Sequence, residues 1–230
     1  MQQITVIGFD ADDTLWSTES FFYEAEERFL RVVGEFGEYE PLKRIMFDVI
    51  LENLGDYGYG VKSFTLSLID AALRIGGGNI QPKQIREILD IGRWLVRFPI
   101  ELLSGVTDTL EKLRHRYRLI IVTKGDLLDQ QRKLDKSGLA NYFDHVEVLI
   151  QKTPADYQKL VTYLGIKPEQ FLMIGNSVKS DIIPVLEIGG YGVYVPFPVM
   201  WEHEIASPPY GHPRFNEISN IAGILPLLGV

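Results

Sequence analysis

The chain of 230 residues contains no cysteine and no long uninterrupted run of apolar side chains. The first absence excludes disulfide scaffolds, thiolate nucleophiles and sulfur-ligated zinc sites. The second argues against a membrane-spanning helix, which needs about 20 consecutive apolar residues. Residues 1–9 also lack the basic start and the cleavage segment of a secretory signal. We therefore expect a soluble, cytoplasmic protein that has no membrane partner.

Basic residues are scarce relative to acidic ones. Lysine and arginine together number 23 and aspartate and glutamate 31, so the formal net charge is -8. A protein that binds a nucleic acid polymer needs a basic surface to neutralise phosphates, and this charge argues against such a partner. The excess of acids is compatible either with a solvated surface or with a local cation site.

Five short apolar segments are present, and each is followed by polar or glycine residues. They lack a clear alternation of apolar and polar side chains, which is typical of strands covered on both faces. The segments are 4–9, 119–122, 146–150, 171–174 and 191–195. Helical periodicity follows in 106–117, 127–136, 155–164 and 182–188. This alternation predicts an α/β fold with a doubly wound parallel sheet.

Residues 17–98 interrupt the alternation, because they contain no convincing strand. Helices are expected at about 18–36, 41–53, 61–75 and 82–97. The sequence therefore predicts an α/β core formed by residues 1–16 and 99–230, with a smaller all-helical domain formed by residues 17–98. We expect the helical domain to set substrate specificity, and Trp16 is one candidate for a substrate contact.

The segment 196–213 contains five prolines and is expected to form an irregular surface arm. A short helix at about 217–228 is expected to follow it. Within the arm, Trp201-Glu202-His203-Glu204 contains groups that bind metals, but it does not place two histidines on one face of a helix. We expect this cluster to lie at the surface or at the rim of a site.

Acidic residues follow the first strand directly, in the sequence Asp10-Ala11-Asp12-Asp13-Thr14. Like charges at this spacing raise each other's pKa, and a divalent cation would relieve the repulsion. Oxygen ligands of this kind suit Mg²⁺. The alternative is an acidic turn that caps the next helix.

Polar residues also follow the next three strands. Thr123 and Lys124 come after the second strand, where a glycine turn opens a helix and suits an anion. Lys152 follows the third strand, and Asn176 and Asp181 follow the fourth. Each signal alone also fits a helix cap or a solvated side chain. Because parallel strands end at the same edge of a sheet, we expect the four clusters to lie close together.

With these four clusters in this order, the sequence resembles the haloacid dehalogenase-like (HAD) superfamily of hydrolases over residues 1–17 and 100–196. The helical segment resembles the cap that one subgroup inserts after the first motif. The resemblance implies a Rossmann-like core and a Mg²⁺-dependent phosphatase that hydrolyses a small phosphorylated molecule through an aspartyl-phosphate. The chain is expected to be a monomer or a homodimer.

The resemblance also implies a role for each matched residue. Asp10 would be the nucleophile that attacks phosphorus, and Asp12 would act first as the acid and then as the base. Thr123, Lys124 and Lys152 would bind the phosphate, and Lys152 would also neutralise the nucleophile.

A metal site is implied by the same motifs. Mg²⁺ would be held by Asp10, by the carbonyl of Asp12, by Asp181 and by Asn176. Many members of the family carry aspartate where this chain has Asn176, so one negative charge is missing. We expect weaker binding of Mg²⁺ than in a relative with three carboxylates.

Three other functions stay open at this point. A 2-haloacid dehalogenase would use the same nucleophile on carbon without a metal, but Asp12 and Asp181 argue against it. A phosphomutase would return the phosphoryl group to its substrate. A non-catalytic phosphate-binding regulatory protein is supported only by Asn176.

Overall fold

The computed structural model describes residues 3–230, and these residues form two compact units. The first unit comprises Met1–Glu19 (described from residue 3), Ile100–Lys124 and Gln130–Val230. The second comprises Ser20–Pro99 and Gly125–Asp129.

The first unit contains a six-stranded sheet with the strand order β3-β2-β1-β4-β5-β6. All neighbouring strands in it are parallel. The strands are β1 (Val6–Phe9), β2 (Arg118–Lys124), β3 (His145–Leu149), β4 (Phe171–Gly175), β5 (Tyr191–Tyr194) and β6 (Phe215–Glu217). The predicted α/β fold with a parallel sheet is confirmed, and a strand lies in each of the five predicted segments.

The sixth strand is the one that the sequence analysis missed. β6 is three residues long and pairs with β5 at the edge of the sheet. A strand this short has no apolar run of its own, so only its pairing with β5 defines it. The helix predicted at 217–228 is correspondingly shorter, because it begins only at Ile224 and is preceded by a 3₁₀ turn, Ile221–Gly223.

The second unit is helical, and helices lie at all four predicted positions. They are α1 (Glu19–Val33), α2 (Tyr39–Tyr57), α3 (Val61–Gly76) and α4 (Pro82–Arg97). Pro82 opens α4, and the side-chain oxygen of Gln84 accepts from the backbone N–H of Gln81 at 2.8 Å. The packing of α4 on α3 depends on Gly92, since a Cβ atom there would lie 2.3 Å from the hydroxyl oxygen of Thr65. None of the helices in residues 3–230 is long and apolar enough to cross a membrane.

Helices cover both faces of the sheet in the first unit. They are α5 (Val106–Leu113), α6 (Leu127–Ser137), α7 (Pro154–Tyr163), α8 (Ile183–Glu187) and α9 (Ile224–Leu228). Side chains of α5, α6 and α9 pack with Ile7 and Ile121 on one face. Side chains of α7 and α8 pack with Val6 and Ile120 on the other. This double cover explains why the central strands β1 and β4 are buried at every position.

β1 lies at the centre of the sheet, between β2 and β4. Phe9 is the partner of Ile121 on one side and of Ile174 on the other. The order of the strands reverses at this point, and open α/β sheets bind ligands in the crevice beyond the carboxyl ends of such strands. Asp10 follows β1 immediately, and its backbone N–H donates to the carbonyl of Ile174 at 2.8 Å. The first acidic motif therefore begins at the topological switch point.

Candidate active site

Lys152 connects two of the predicted site carboxylates. Its Nζ atom lies 2.5 Å from Oδ1 of Asp10 and 2.6 Å from Oδ1 of Asp181. The side chains of Lys152 and Asp181 are each 1% exposed, and that of Asp10 is 10% exposed. Residues that lie 142 and 29 positions apart from the lysine in sequence thus form one buried cluster of charges.

The charges of this cluster do not balance, because two carboxylates share one ammonium group. Burial raises the pKa of Asp10 to about 7, although the ammonium of Lys152 opposes the rise, and the carboxylate of Asp181 adds to it. Burial opposes the charged form of Lys152, but the two carboxylates outweigh it and raise the pKa of the lysine. A further positive charge at this point would keep the carboxylate of Asp10 ionised.

Asp181 is presented by an irregular turn at the end of β4. Residues Val178–Ile182 form a single turn of π-helix, which is rare and often found at functional sites. The backbone N–H of Ser177 donates to Oδ2 of Asp181 at 2.9 Å. Gly175 permits the close approach, since a Cβ atom on it would lie 2.2 Å from Oδ2 of Asp181.

The side chain of Asp12 is engaged away from this cluster. Lys133 Nζ lies 2.7 Å from Oδ1 and 2.6 Å from Oδ2 of Asp12. Oδ2 also accepts from Gln130 at 2.9 Å, and Oδ1 accepts from Trp16 and Thr18, each at 2.8 Å. Burial opposes ionisation of Asp12, but the Lys133 ammonium and these hydrogen bonds outweigh it and lower the pKa of Asp12. Asp12 is therefore an ionised acceptor in this conformation.

These partners of Asp12 were not identified from the sequence. Lys133 and Gln130 lie three residues apart on α6, and both side chains are buried although both are polar. Their spacing places them on one helix face, which is the only sequence signal that would have indicated them. Trp16, one candidate for a substrate contact, is 1% exposed and donates to Asp12.

We expect Lys133→Met to lower the free energy of unfolding by about 1–3 kcal/mol at pH 7, because Asp12 loses a charged hydrogen-bond donor. The folded-state pKa of Asp12 lies below its ordinary value of 3.8. The stabilisation is thus fully present above that value and is lost as the pH falls through the folded-state pKa. Urea denaturation at pH 7 and below pH 4 would measure this, and Lys136→Met, an exposed change on the same helix, is the control. An equal loss of stability at both pH values would contradict the ion pair.

Asp13 has a structural role. Its carboxylate accepts from the backbone N–H groups of Thr18 and Glu19, where α1 begins. Its φ angle is 60°, a left-handed conformation that few residues other than glycine adopt. The capping alternative for the acidic motif therefore holds for Asp13.

Asn176 lies against two of the predicted metal ligands. One end of its amide is 3.3 Å from Oδ2 of Asp10 and 3.2 Å from the carbonyl oxygen of Asp12. Both neighbours are acceptors, so the hydrogen-bonding pattern assigns the NH₂ group to this end. An amide that presented its oxygen here instead would add a fourth oxygen to the carboxylates of Asp10 and Asp181 and the carbonyl of Asp12.

These oxygens match the chemistry of Mg²⁺, which binds through one or two carboxylates and keeps several waters. Within residues 3–230 there is no group of three or more His, Cys, Asp or Glu side chains that could hold a metal ion. The candidate site therefore consists of two carboxylates supplemented by a carbonyl and an amide. The uncompensated negative charge at Asp10 and Asp181 favours a cation at this place.

The predicted phosphate ligands of β2 differ in their environment. Thr123 is 1% exposed at the carboxyl end of the strand. The ammonium group of Lys124 lies 2.6 Å from Oε1 of Glu204, in the proline-rich arm. Glu204 also accepts from Ser177, which precedes the π-helical turn, and from Ser180, which lies within the turn next to Asp181. This part of the arm was expected at the surface or at the rim of a site, and its partners were not predicted.

Comparisons with known proteins place the chain among hydrolases of one family. Residues 4–189 match the family described as haloacid dehalogenase-like hydrolase. A solved haloacid dehalogenase-like family hydrolase from Xanthomonas campestris is 32% identical, with a TM-score of 0.89 over 99% of this chain and 91% of that chain.

Two groups of phosphatases are also similar in sequence. A glyceraldehyde 3-phosphate phosphatase of Methanothermobacter thermautotrophicus is 27% identical over 84% of this chain and 85% of its own length. An N-acylneuraminate-9-phosphatase of Homo sapiens is 22% identical over 82% of this chain and 81% of its own length.

Proposed function

Because the chain belongs to the haloacid dehalogenase-like hydrolase family, we propose that it is a Mg²⁺-dependent phosphatase of a small phosphomonoester. The observation that carries this proposal is the position of Lys152, whose ammonium lies within 2.6 Å of both Asp10 and Asp181. A buried ammonium beside a carboxylate at a strand end suits the capture of a phosphoryl group and its attack by that carboxylate.

Asp10 is the proposed nucleophile. Its carboxylate oxygen forms a bond to phosphorus while the bond from phosphorus to the ester oxygen breaks, which gives an aspartyl-phosphate and an alkoxide. Lys152 and the hydroxyl of Thr123 neutralise and orient the oxygens of the phosphoryl group. Water then attacks phosphorus and gives a proton to Asp12, while the bond from phosphorus to the Asp10 oxygen breaks and releases inorganic phosphate.

Asp12 is the proposed acid and base. In the described conformation it accepts hydrogen bonds from Lys133 and Gln130 and is ionised. To protonate the leaving oxygen, Asp12 has to move away from Lys133 and take up a proton. While Asp12 is paired with Lys133, it cannot act as the general acid, and its side chain has to rotate first.

Mg²⁺ would be held by the carboxylates of Asp10 and Asp181, the carbonyl of Asp12 and the amide oxygen of Asn176. When bound, the ion would supply positive charge that stabilises the charge developing on the phosphoryl oxygens. The raised pKa of Asp10 supports this assignment, since the carboxylate needs more positive charge than Lys152 provides.

We expect Asn176→Asp to tighten the binding of Mg²⁺ by about tenfold, because it adds a negative charge about 4 Å from the cation and only part of the Coulomb gain survives desolvation. Without Mg²⁺ the same change is expected to lower the midpoint of thermal unfolding, since it adds a carboxylate 3.3 Å from Asp10. Calorimetric titration with MgCl₂ measures the first effect. Asn141→Asp, an exposed change in the same unit, is the control, and an unchanged or weaker affinity would overturn the assignment of Asn176.

The proposed function is tested by release of inorganic phosphate from a panel of phosphomonoesters, with Mg²⁺ and with EDTA. The panel should include glyceraldehyde 3-phosphate and N-acylneuraminate 9-phosphate, for which the relatives are named. Phosphate release that requires Mg²⁺ supports the proposal. Isomerised sugar phosphate without free phosphate would indicate a mutase, and binding without turnover would indicate the regulatory alternative. A cytoplasmic location stays a prediction from the sequence.

A further inference from the structure

Glu204 reaches the α/β core from the proline-rich arm and contacts three polar side chains there. Its Oε1 atom lies 2.6 Å from Nζ of Lys124. Its Oε2 atom accepts from the hydroxyl of Ser177 at 2.6 Å and from that of Ser180 at 2.5 Å. The side chains of Glu204 and Lys124 are 13% and 14% exposed, so the ion pair is largely withdrawn from solvent.

The three partners of Glu204 adjoin the proposed phosphate and metal ligands. Lys124 follows Thr123, Ser177 follows Asn176, and Ser180 precedes Asp181. Lys124 Nζ also donates to Ser180 at 3.0 Å, so the ends of β2 and β4 are joined through these side chains. One carboxylate from outside the four strand-end motifs thus lies beside the residues proposed to hold the phosphate.

The carboxylate of Glu204 is ionised at neutral pH. Burial would raise its pKa, but the ammonium of Lys124 and the hydrogen bonds from Lys124, Ser177 and Ser180 outweigh burial and lower the pKa to about 2. Lys124 is therefore neutralised by a carboxylate of the same chain. An ammonium paired in this way attracts a second anionic group of a substrate less than an unpaired ammonium would.

We propose that Glu204 determines specificity by selecting against phosphomonoesters that carry a second negative charge beside the phosphate. This role rests on the proposed phosphatase function and deepens it. It restricts the substrate to phosphomonoesters that carry no second negative charge beside the phosphate. The residue acts by two means that add together. Its carboxylate forms an ion pair with the ammonium of Lys124, and its negative charge repels a substrate carboxylate that approaches Lys124.

Two probes of nearly equal size test the proposal by their affinity. 2-Phosphoglycolate carries a carboxylate beside the phosphate ester, and ethyl phosphate has the same skeleton without it. Their dissociation constants are measured by calorimetry with MgCl₂ for the wild type, Glu204→Gln and Lys124→Gln. Glu202→Gln is the matched control, since Glu202 is an exposed acid of the same arm.

We expect Glu204→Gln to improve the binding of 2-phosphoglycolate relative to ethyl phosphate by about tenfold, because it removes a negative charge and releases Lys124. Lys124→Gln leaves Glu204 without its counter-ion. This change is therefore expected to weaken the binding of 2-phosphoglycolate relative to that of ethyl phosphate. Loss of structure in the arm would affect both probes alike, so opposite shifts distinguish charge from structure. The control is expected to leave the ratio unchanged.

Three results would overturn the proposal: an unchanged ratio in both variants, the same shift in Glu202→Gln, or no binding of either probe to the wild type. Release of inorganic phosphate from the two probes is measured separately. Absence of turnover together with a charge-dependent ratio would contradict the phosphatase function and leave the selecting role of Glu204 standing. Turnover with an unchanged ratio would support the phosphatase function and contradict the selecting role of Glu204.

Discussion

Asp10→Asn is expected to reduce the release of phosphate by at least about 10⁴-fold, because the amide cannot form the acyl phosphate. The neighbouring carboxylates of Asp181 and Asp12 are not placed to substitute for it. Asp181 is held by Lys152 and by the backbone of Ser177. Asp12 is engaged with Lys133. The measurement is phosphate release at saturating substrate and Mg²⁺.

Folding of this variant is expected to be retained. The pKa of Asp10 is raised from 3.8 to about 7 by burial, so its ionised form costs stability at every pH above 3.8. The neutral amide removes that cost and leaves Lys152 paired with Asp181. We therefore expect the free energy of unfolding at pH 7 to stay equal or to rise. Asp108→Asn, an exposed change at the start of α5, is the control for both measurements.

The nucleophilic role can be separated from a role in holding Mg²⁺. Reduction of the enzyme by borohydride during turnover converts an acyl phosphate on aspartate to homoserine, which mass spectrometry would locate at position 10. Homoserine at another position, or full activity of Asp10→Asn, would contradict the assignment.

Lys152→Met is expected to lower the free energy of unfolding by about 3–5 kcal/mol at neutral pH without divalent cations, because it leaves two buried carboxylates without a counter-ion. The methionine has a similar volume, so the loss reports charge rather than a cavity. The pKa of Asp10, which burial already raises, would then rise further, because the ammonium of Lys152 no longer opposes the rise. Acidification neutralises the carboxylate of Asp10, and the difference between wild type and variant is expected to shrink as the pH falls.

Urea denaturation across a pH series measures this effect, and Mg²⁺ is expected to restore part of the lost stability by replacing the missing charge. Lys112→Met, an exposed change on α5, should have little effect. A variant as stable as the wild type at pH 7 would show that the cluster of Lys152, Asp10 and Asp181 does not contribute to folding.

Much of the fold was predictable because its signals are local. Apolar runs without alternation indicated strands covered on both faces, and periodic segments indicated the helices. Pro82 marked the start of α4 by its fixed φ angle and missing N–H. β6 gave no such signal, because three residues at a sheet edge depend on pairing with β5.

The candidate site was predictable to a lesser degree. The order of polar clusters after parallel strands indicated that Asp10, Lys152 and Asp181 would meet, and the structure brings them together. Their chemical roles stay predictions. The environment of Asp12 was not predictable, because Lys133 is 121 residues away, and a lone lysine on a helix is usually solvated.

The sequence by itself determined that the chain has an α/β core with helices inserted after its first strand, and which strand ends carry charged groups. The periodicity of side chains and the topology of parallel sheets suffice for that, since both act over short stretches of chain. Only the tertiary structure decided which charges pair. Lys152 lies with Asp10, Lys133 with Asp12, and Lys124 with Glu204. A buried charge requires a specific partner within a few ångströms, and packing of distant segments selects that partner.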